Sequence, residues 1–179
     1  MGMTANTASQ SCKFGRKGCV DTGVFKIGFL MKLTEKVAII TGGGTGIGAA
    51  VARVLAAEGA RVSISGRRPV PLQETVEAIQ ASGGTAMAVP GSVASPEDSK
   101  RLVSETLNAY GRVDILVTSA GTAELVGVAE MTDEMWDATL DTNLKGTFLA
   151  VRDVLPIMIE QQSGAIITIS SILAQRGMK

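Results

Sequence analysis

Five short apolar runs punctuate the chain: Val37–Ile40, Val62–Ser65, Thr85–Val89, Ile115–Thr118 and Ile166–Ser170. Most are near-continuous in apolar residues rather than alternating, the pattern of strands buried on both faces of a parallel sheet. Helical stretches separate them. The first is expected over Gly46–Glu58, with Ile47, Val51, Val54 and Leu55 at i, i+4, i+7 and i+8 forming one buried face, and Gly59 ending it. A second is expected to follow Pro71, with Leu72, Val76 and Ile79 facing inward and Gly83-Gly84 as its stop. The third is signposted by Ser95 as N-cap, Pro96 at the first helical position and Glu97 and Asp98 in the first turn, and it ends at Tyr110-Gly111. A long helical region runs from Thr132, its cap, to about Gln162. Asn143 and Gly146 predict a bend or break in it, Pro156 predicts a kink, and Gly164 closes it. The order β-α-β-α-β-α-β-α-β with right-handed crossovers predicts a doubly wound parallel sheet with helices on both faces, an α/β fold.

The stretch Thr41-Gly42-Gly43-Gly44-Thr45-Gly46-Ile47-Gly48 joins the first strand to the first helix. Glycine permits a sharp turn, lets the backbone approach a pyrophosphate, and lets the helix lie close on the strand. The unpaired N–H groups and the dipole at the helix N-terminus then favour negative charge. A strand before and a helix after are the context a dinucleotide-binding loop requires. A Walker-type phosphate loop fits poorly, because neither Lys-Ser nor Lys-Thr follows Gly48. The plainer alternative is an ordinary tight strand-to-helix turn.

Composition narrows the chemistry. The 179 residues give room for one domain, and 17 basic against 17 acidic side chains leave no net charge to recommend nucleic acid or an anionic membrane as partner. No apolar run approaches a membrane span. The absence of histidine removes histidine bases and Ser-His or Cys-His pairs. The two cysteines, Cys12 and Cys19, cannot make the usual structural zinc site without histidine, so no metal is expected. A thiol-free remainder fits a reducing compartment, and a cytoplasmic location is expected. Residues 1–30 have no clear hydrophobic periodicity and carry Lys13, Arg16, Lys17 and Lys26 against Asp21. They read as a disordered leader or as upstream sequence before a natural start at Met31, with residues 31–179 a partial dinucleotide-binding domain.

Four patterns in order make the chain resemble a short-chain dehydrogenase/reductase over about residues 33–179. The glycine loop resembles the family's Thr-Gly-x-x-x-Gly-x-Gly. Thr118-Ser119-Ala120-Gly121 resembles its Asn-Asn-Ala-Gly. Asp141-Thr142-Asn143-Leu144-Lys145-Gly146 resembles the segment of the catalytic asparagine, and Ile169-Ser170-Ser171 the strand end of the catalytic serine. The resemblance implies a Rossmann-type sheet, incomplete here at five of an expected seven strands. It implies hydride transfer between a nicotinamide cofactor and a small carbonyl or alcohol substrate, and a homodimer or homotetramer for the complete protein. It places Gly42, Gly44, Thr45, Gly46, Ile47, Gly48, Ser92, Val93, Ala120 and Gly121 against the cofactor. Asn143 is implied to help hold a water relay, and Ser171 to hydrogen-bond the substrate oxygen. Strand alternation alone leaves Ser170 and Ser171 open, since it puts them on opposite faces.

Departures from the family pattern matter as much. Thr118-Ser119 replaces the Asn-Asn pair, and Ser92 stands where many relatives place an aspartate against the adenine. At the end of the second strand, an acid would accept from the adenosine 2′-hydroxyl and indicate NAD. Gly66-Arg67-Arg68 stands there instead, with two guanidiniums able to bind a 2′-phosphate. NADP is therefore expected, with Arg67 the leading contact and Arg68 beside it, and NAD as second choice. Thr45 tempers this, because NADP-using relatives often carry a basic residue there. The family's Tyr-x-x-x-Lys does not occur in the sequence, whose single tyrosine, Tyr110, ends the third helix. The chain is expected to be inactive alone as an incomplete enzyme. The alternative is a non-catalytic nucleotide-binding or interaction module.

Overall fold

In the computed structural model, which describes residues 31–172, every apolar run becomes a parallel strand. The elements are β1 (Val37–Thr41), α1 (Gly46–Ala57), β2 (Arg61–Gly66), α2 (Pro69–Ala81), β3 (Thr85–Pro90), α3 (Pro96–Tyr110), β4 (Ile115–Thr118), α4 (Asp133–Leu140), α5 (Gly146–Glu160) and β5 (Ala165–Thr168). The sheet order is β3-β2-β1-β4-β5. The chain winds outward from β1 to β3, then crosses to β4 and β5. The switch point therefore lies between β1 and β4, where open α/β sheets bind ligands beyond the carboxyl ends of their strands. The expected leader at residues 1–30 lies outside the described residues.

Strand alternation divides the core into two layers. Ala38 and Ile40 of β1, with Val62 and Ile64 of β2, meet Ala52 and Ala56 of α1 and Leu72, Val76 and Ile79 of α2. On the other face Ile39, Leu116 and Val113 meet Leu102 and Val103 of α3 and Val154 and Met158 of α5. Burying each Ile, Leu or Val contributes roughly 1.5–3 kcal/mol, and β1 is buried along its whole length.

The structure corrects three details of the sequence reading. The buried stripe of α1 is Gly48, Ala49, Ala52 and Ala56, whereas Ile47 and Val54 are 60% and 62% exposed. Small side chains let the helix approach the sheet behind the glycine loop; Ile47 and Val54 turn outward, while Val51 and Leu55 are partly buried and pack against the core. Helix α2 begins at Pro69 rather than after Pro71, because a proline fits the first helical turn, where its missing N–H costs nothing. Helix α5 runs through Pro156 to Glu160, in keeping with the expected helical end near Gln162. Strand β5 ends at Thr168, two residues short of Ser170, although the Ile169 N–H still donates to the Thr118 carbonyl at 3.0 Å. The expected break near Asn143 is a π-helical turn, Asp141–Lys145, between α4 and α5.

At the amino ends of the strands sits Asp114, with a side chain only 3% exposed. Its carboxylate accepts from Arg112 Nε and Nη2 at 2.7 and 2.6 Å, from the Val37 N–H at 3.0 Å and from Lys36 Nζ at 3.2 Å. Burial acts to raise its pKa, and the Arg112, Val37 and Lys36 hydrogen bonds outweigh it, holding the carboxyl below its ordinary range.

Candidate functional site

The glycine loop folds against the loop after β4. Gly42 has φ +69°, and a Cβ there would lie 2.8 Å from the Ala120 backbone. A Cβ on Gly48 would run into the Gly42 carbonyl oxygen. These two positions tolerate only glycine, and together they form a cradle of bare backbone. Thr41 fixes it from beneath: its Oγ1 accepts the Ser119 and Ala120 N–H groups at 3.2 and 3.3 Å. Helix α1 starts from this cradle with no side-chain cap from Thr45 and no acid in its first turn. Its N-terminal donors are therefore not offset by a carboxylate, the arrangement that suits a phosphate group.

From the cradle a groove of about 290 Å³ extends over the carboxyl ends of β1, β2 and β3. Gly42, Gly44, Thr45 and Ile47 form its floor and near side. Arg67 and Arg68 stand at the end of β2, Ser92 and Val93 at the end of β3, and Ala120 and Gly121 after β4. Gly46 and Gly48, placed against the cofactor by the sequence, are not among the lining residues; Gly48 serves the packing beneath. Sequence reasoning did not single out Pro71, Leu72 and Thr142 as site residues, yet they line the groove too. Pro71 and Leu72 come from the first turns of α2, and no local motif marks them. Thr142 adjoins Asn143, and that was its one available signal.

The β3 wall is braced from behind. Asp98 Oδ2 accepts the Ser92 N–H at 2.8 Å, and Arg101 pairs with Asp98 at 2.6 Å while donating to the Pro90 carbonyl at 2.6 Å. The Ser92 N–H bond, joined by Arg101 against the opposing effect of burial, lowers the Asp98 pKa. The Ser92 hydroxyl accepts the Ala94 N–H at 3.3 Å, so part of its acceptor capacity is spent within its own turn.

A second, wider cleft of about 730 Å³ adjoins the groove through Ser119, Ala120, Gly121 and Ile169. It brings Asn143 together with Ser170 and Ser171. Both serines at the end of β5 line it, so the structure leaves the choice between them where strand alternation left it. Asn143 clips the π turn to the loop after β4: its Oδ1 accepts the Thr122 N–H at 2.8 Å and its Nδ2 donates to the Thr122 carbonyl at 2.7 Å. The Asn143 carbonyl accepts from Thr147 Oγ1 at 3.0 Å. Thr122 and Thr147 escaped the sequence reading, since neither spacing nor type marks them. Tyr110 lies at the other end of the molecule, where α3 leads into the amino end of β4. Burial raises its phenol pKa, against the opposing charge of Arg61. Among the described residues no cluster of His, Cys, Asp or Glu could hold a metal, and no helix is long and apolar enough to cross a membrane.

The sequence and the fold are similar to those of known proteins. A family model described as short chain dehydrogenase matches residues 36–179. An uncharacterized oxidoreductase of Staphylococcus aureus (strain MW2) is 39% identical over 140 residues, which is 78% of this chain and 60% of that protein. A 3-oxoacyl-[acyl-carrier-protein] reductase of Synechocystis is 38% identical over 146 residues, 81% of this chain and 59% of that protein. Among solved structures, a short-chain type dehydrogenase/reductase from Mycobacterium marinum superposes with a TM-score of 0.80 at 31% identity, covering 83% of this chain and 61% of that one. A variant of actinorhodin polyketide ketoreductase solved with NADPH superposes with a TM-score of 0.78 at 34% identity, covering 80% of this chain and 56% of that one. The chain thus spans about three fifths of the length of the curated relatives it matches. A glycine cradle at this switch point, a sheet of this order and a match over four fifths of the sequence place the chain in the short-chain dehydrogenase/reductase family of oxidoreductases.

Proposed function

We propose that this chain carries the NADP(H)-binding half of an oxidoreductase acting on a small carbonyl or alcohol substrate, and that it does not turn over alone. The observation that carries the reading is the pair Arg67 and Arg68 on the groove that starts at the glycine cradle, with no acid at the end of β2. The cradle and the N-terminus of α1 hold the pyrophosphate, Arg67 binds the 2′-phosphate, and Ser92 and Val93 flank the base. When bound, the nicotinamide supplies or accepts the hydride. Asn143 fixes the loop beside it, Ser171 donates to the substrate oxygen, and Ala120 and Gly121 allow close approach. NAD is the weaker ligand. The complete protein acts as a cytoplasmic homodimer or homotetramer.

Turnover requires an acid at the substrate oxygen, and Tyr110 is at the wrong end of the sheet to serve. Loss of acid–base catalysis lowers rates by about 10²–10⁴-fold. The test is a fluorescence titration of the chain with NADPH and NADH. NADPH binding tighter than NADH, weakened about tenfold or more in Arg67→Ala with NADH unchanged, is the expected result for a charge-assisted phosphate contact. Equal binding of the two cofactors would overturn the NADP assignment. The second reading, a nucleotide-binding module without catalysis, predicts the same titration and no role in any longer product. The sequence past the codon for Lys179 separates the two: a Tyr-x-x-x-Lys within about fifteen codons, in any frame, favours the enzyme, and its absence overturns that reading.

A further inference from the structure

The carboxyl ends of the central strands carry a row of hydroxyls on the face away from α1 and α2. Thr41 of β1 stands in register with Ser65 of β2 and with Thr118 of β4. Their neighbours Ile40, Ile64 and Val117 enter the core layer under α1 and α2, so strand alternation turns the three hydroxyl residues toward α3 and α5. All three are buried, and buried hydroxyls call for hydrogen-bond partners. Between the row and the two helices lies a void of about 10 Å³. Thr41, Ser65, Ser92, Asp98 and Ser99 supply its polar lining, and Leu102 and Ala150 limit its size. It shares only Ser92 and Val93 with the groove above.

The lining groups have complementary capacity left. Thr41 Oγ1 already accepts the Ser119 and Ala120 N–H groups, so both lone pairs are used and its own proton is what remains to be placed. Ser99 is the converse case: its hydroxyl donates to Asp153 Oδ2 at 2.7 Å, which leaves its oxygen to accept. Ser65 can serve in either sense. A void with room for about one water and polar partners on several sides is the setting in which proteins hold water inside. We propose that this void is a binding site for a single structural water, which accepts the Thr41 proton, donates to Ser99 Oγ and takes Ser65 as a third partner. The water ties the end of β1 to α3. Thr41 holds the loop after β4 against the glycine loop, so the water belongs to the support beneath the groove. The assignment stands whichever nucleotide the groove takes.

Oxygen-17 magnetic relaxation dispersion counts the waters that stay inside a protein as it tumbles. Ser65→Val fills the void with methyl groups, and the unaltered full chain is expected to hold one more long-lived water than this variant. Equal numbers overturn the proposal. Chemical denaturation gives a second reading, and decides alone where Ser65→Val does not fold. Ser65→Ala takes a partner from the water and is expected to lower the folding equilibrium constant about fivefold. Ser63→Ala is the control: that hydroxyl lies on the same face of β2 two residues earlier, is buried, and does not line the void, so its removal is expected not to lower the constant. Ser65→Ala as stable as the unaltered chain overturns the proposal, and so does an equal loss in both variants.

Discussion

At the scale of single residues, the strongest polar feature is far from the groove. Asp114 ties Lys36, the Val37 N–H and Arg112 to one buried carboxylate. Its pKa is lowered in the fold, so its contribution is fully present above the ordinary carboxyl pKa and is lost as pH falls through the folded value. Asp114→Asn is expected to cost about 1–3 kcal/mol at pH 7. Thermal unfolding followed from pH 7 down to pH 3 should show the wild-type advantage hold steady and then shrink below about pH 4. Ser63 is the opposite case: its hydroxyl is fully buried in β2 and has no hydrogen-bond partner among the described residues. Ser63→Ala should be neutral or stabilise by up to about 1 kcal/mol in chemical denaturation. Neither residue was legible as special in the sequence. An aspartate just before an apolar run reads as a strand flank; Arg112 is its near neighbour, but Lys36 and the Val37 N–H that complete the cluster are 78 and 77 residues away along the chain. The glycine loop was legible as the joint between β1 and α1, and Arg67 as the residue following β2, because both placements depend on immediate neighbours alone.

At the scale of elements, the N-caps of α3 and α4 were readable to the residue. Ser95 accepts the Asp98 N–H and Thr132 accepts the Met135 N–H, as the local pattern requires. The facing of α1 was only half readable, since Val51 and Leu55 pack against the core and Ile47 and Val54 do not. A stripe of Ile47, Val51, Val54 and Leu55 satisfies helical periodicity, and only the close approach forced by Gly48 on Gly42 shows why the alanine stripe wins. Periodicity reports which residues can share a face and is silent on how much room the sheet leaves. The joint between the π turn and the loop after β4 is equally non-local, since Asn143 and Thr122 are 21 residues apart. Asn143→Ala removes both of its bonds to Thr122. Amide exchange at Ser119–Thr122 should rise by about tenfold, while Asn143→Asp keeps the acceptor for the Thr122 N–H and reduces the effect. Unchanged exchange in the alanine variant would show that Thr41 alone holds the loop.

At the scale of the whole molecule, the two sides of the sheet are unequal. β1 and β2 are closed beneath the α1/α2 layer, β3 and β5 are the two edges, and at β5 both Ile166 and Ile167 are exposed. Trp136, Leu144 and Phe148 on α4, the π turn and α5 add exposed apolar surface. Patches of this kind on a folded domain favour association, and an unpaired strand edge favours it further. Light scattering of the purified chain should show a species larger than a monomer across micromolar concentrations. The double change Trp136→Glu with Phe148→Glu should shift it toward the monomer, and a monomer in the unaltered chain would refute the expectation. The α/β class and the alternation of strands with helices along the chain follow from a sequence in which nearly every strand is an apolar run. The imbalance between the two sides could not be read that way, because Ile166–Ile167 is as apolar as Ile39–Ile40 and only the sheet order shows which pair lies at the edge.

The π turn has a consequence for how the second half of the chain is oriented. There the Gly146 N–H reaches back to the Asp141 carbonyl, one residue further than in an α-helix. One residue is about 100° of helix rotation, so the turn works as a phase adjuster between α4 and α5. Because of it Gly146 points at Val93, where a Cβ would come within 2.7 Å of the valine side chain, and Leu149, Val154 and Met158 turn into the core. Removing that single residue would swing this whole inner face toward solvent while leaving the composition of the helix almost untouched. In this segment the count of residues carries as much structural information as their identity.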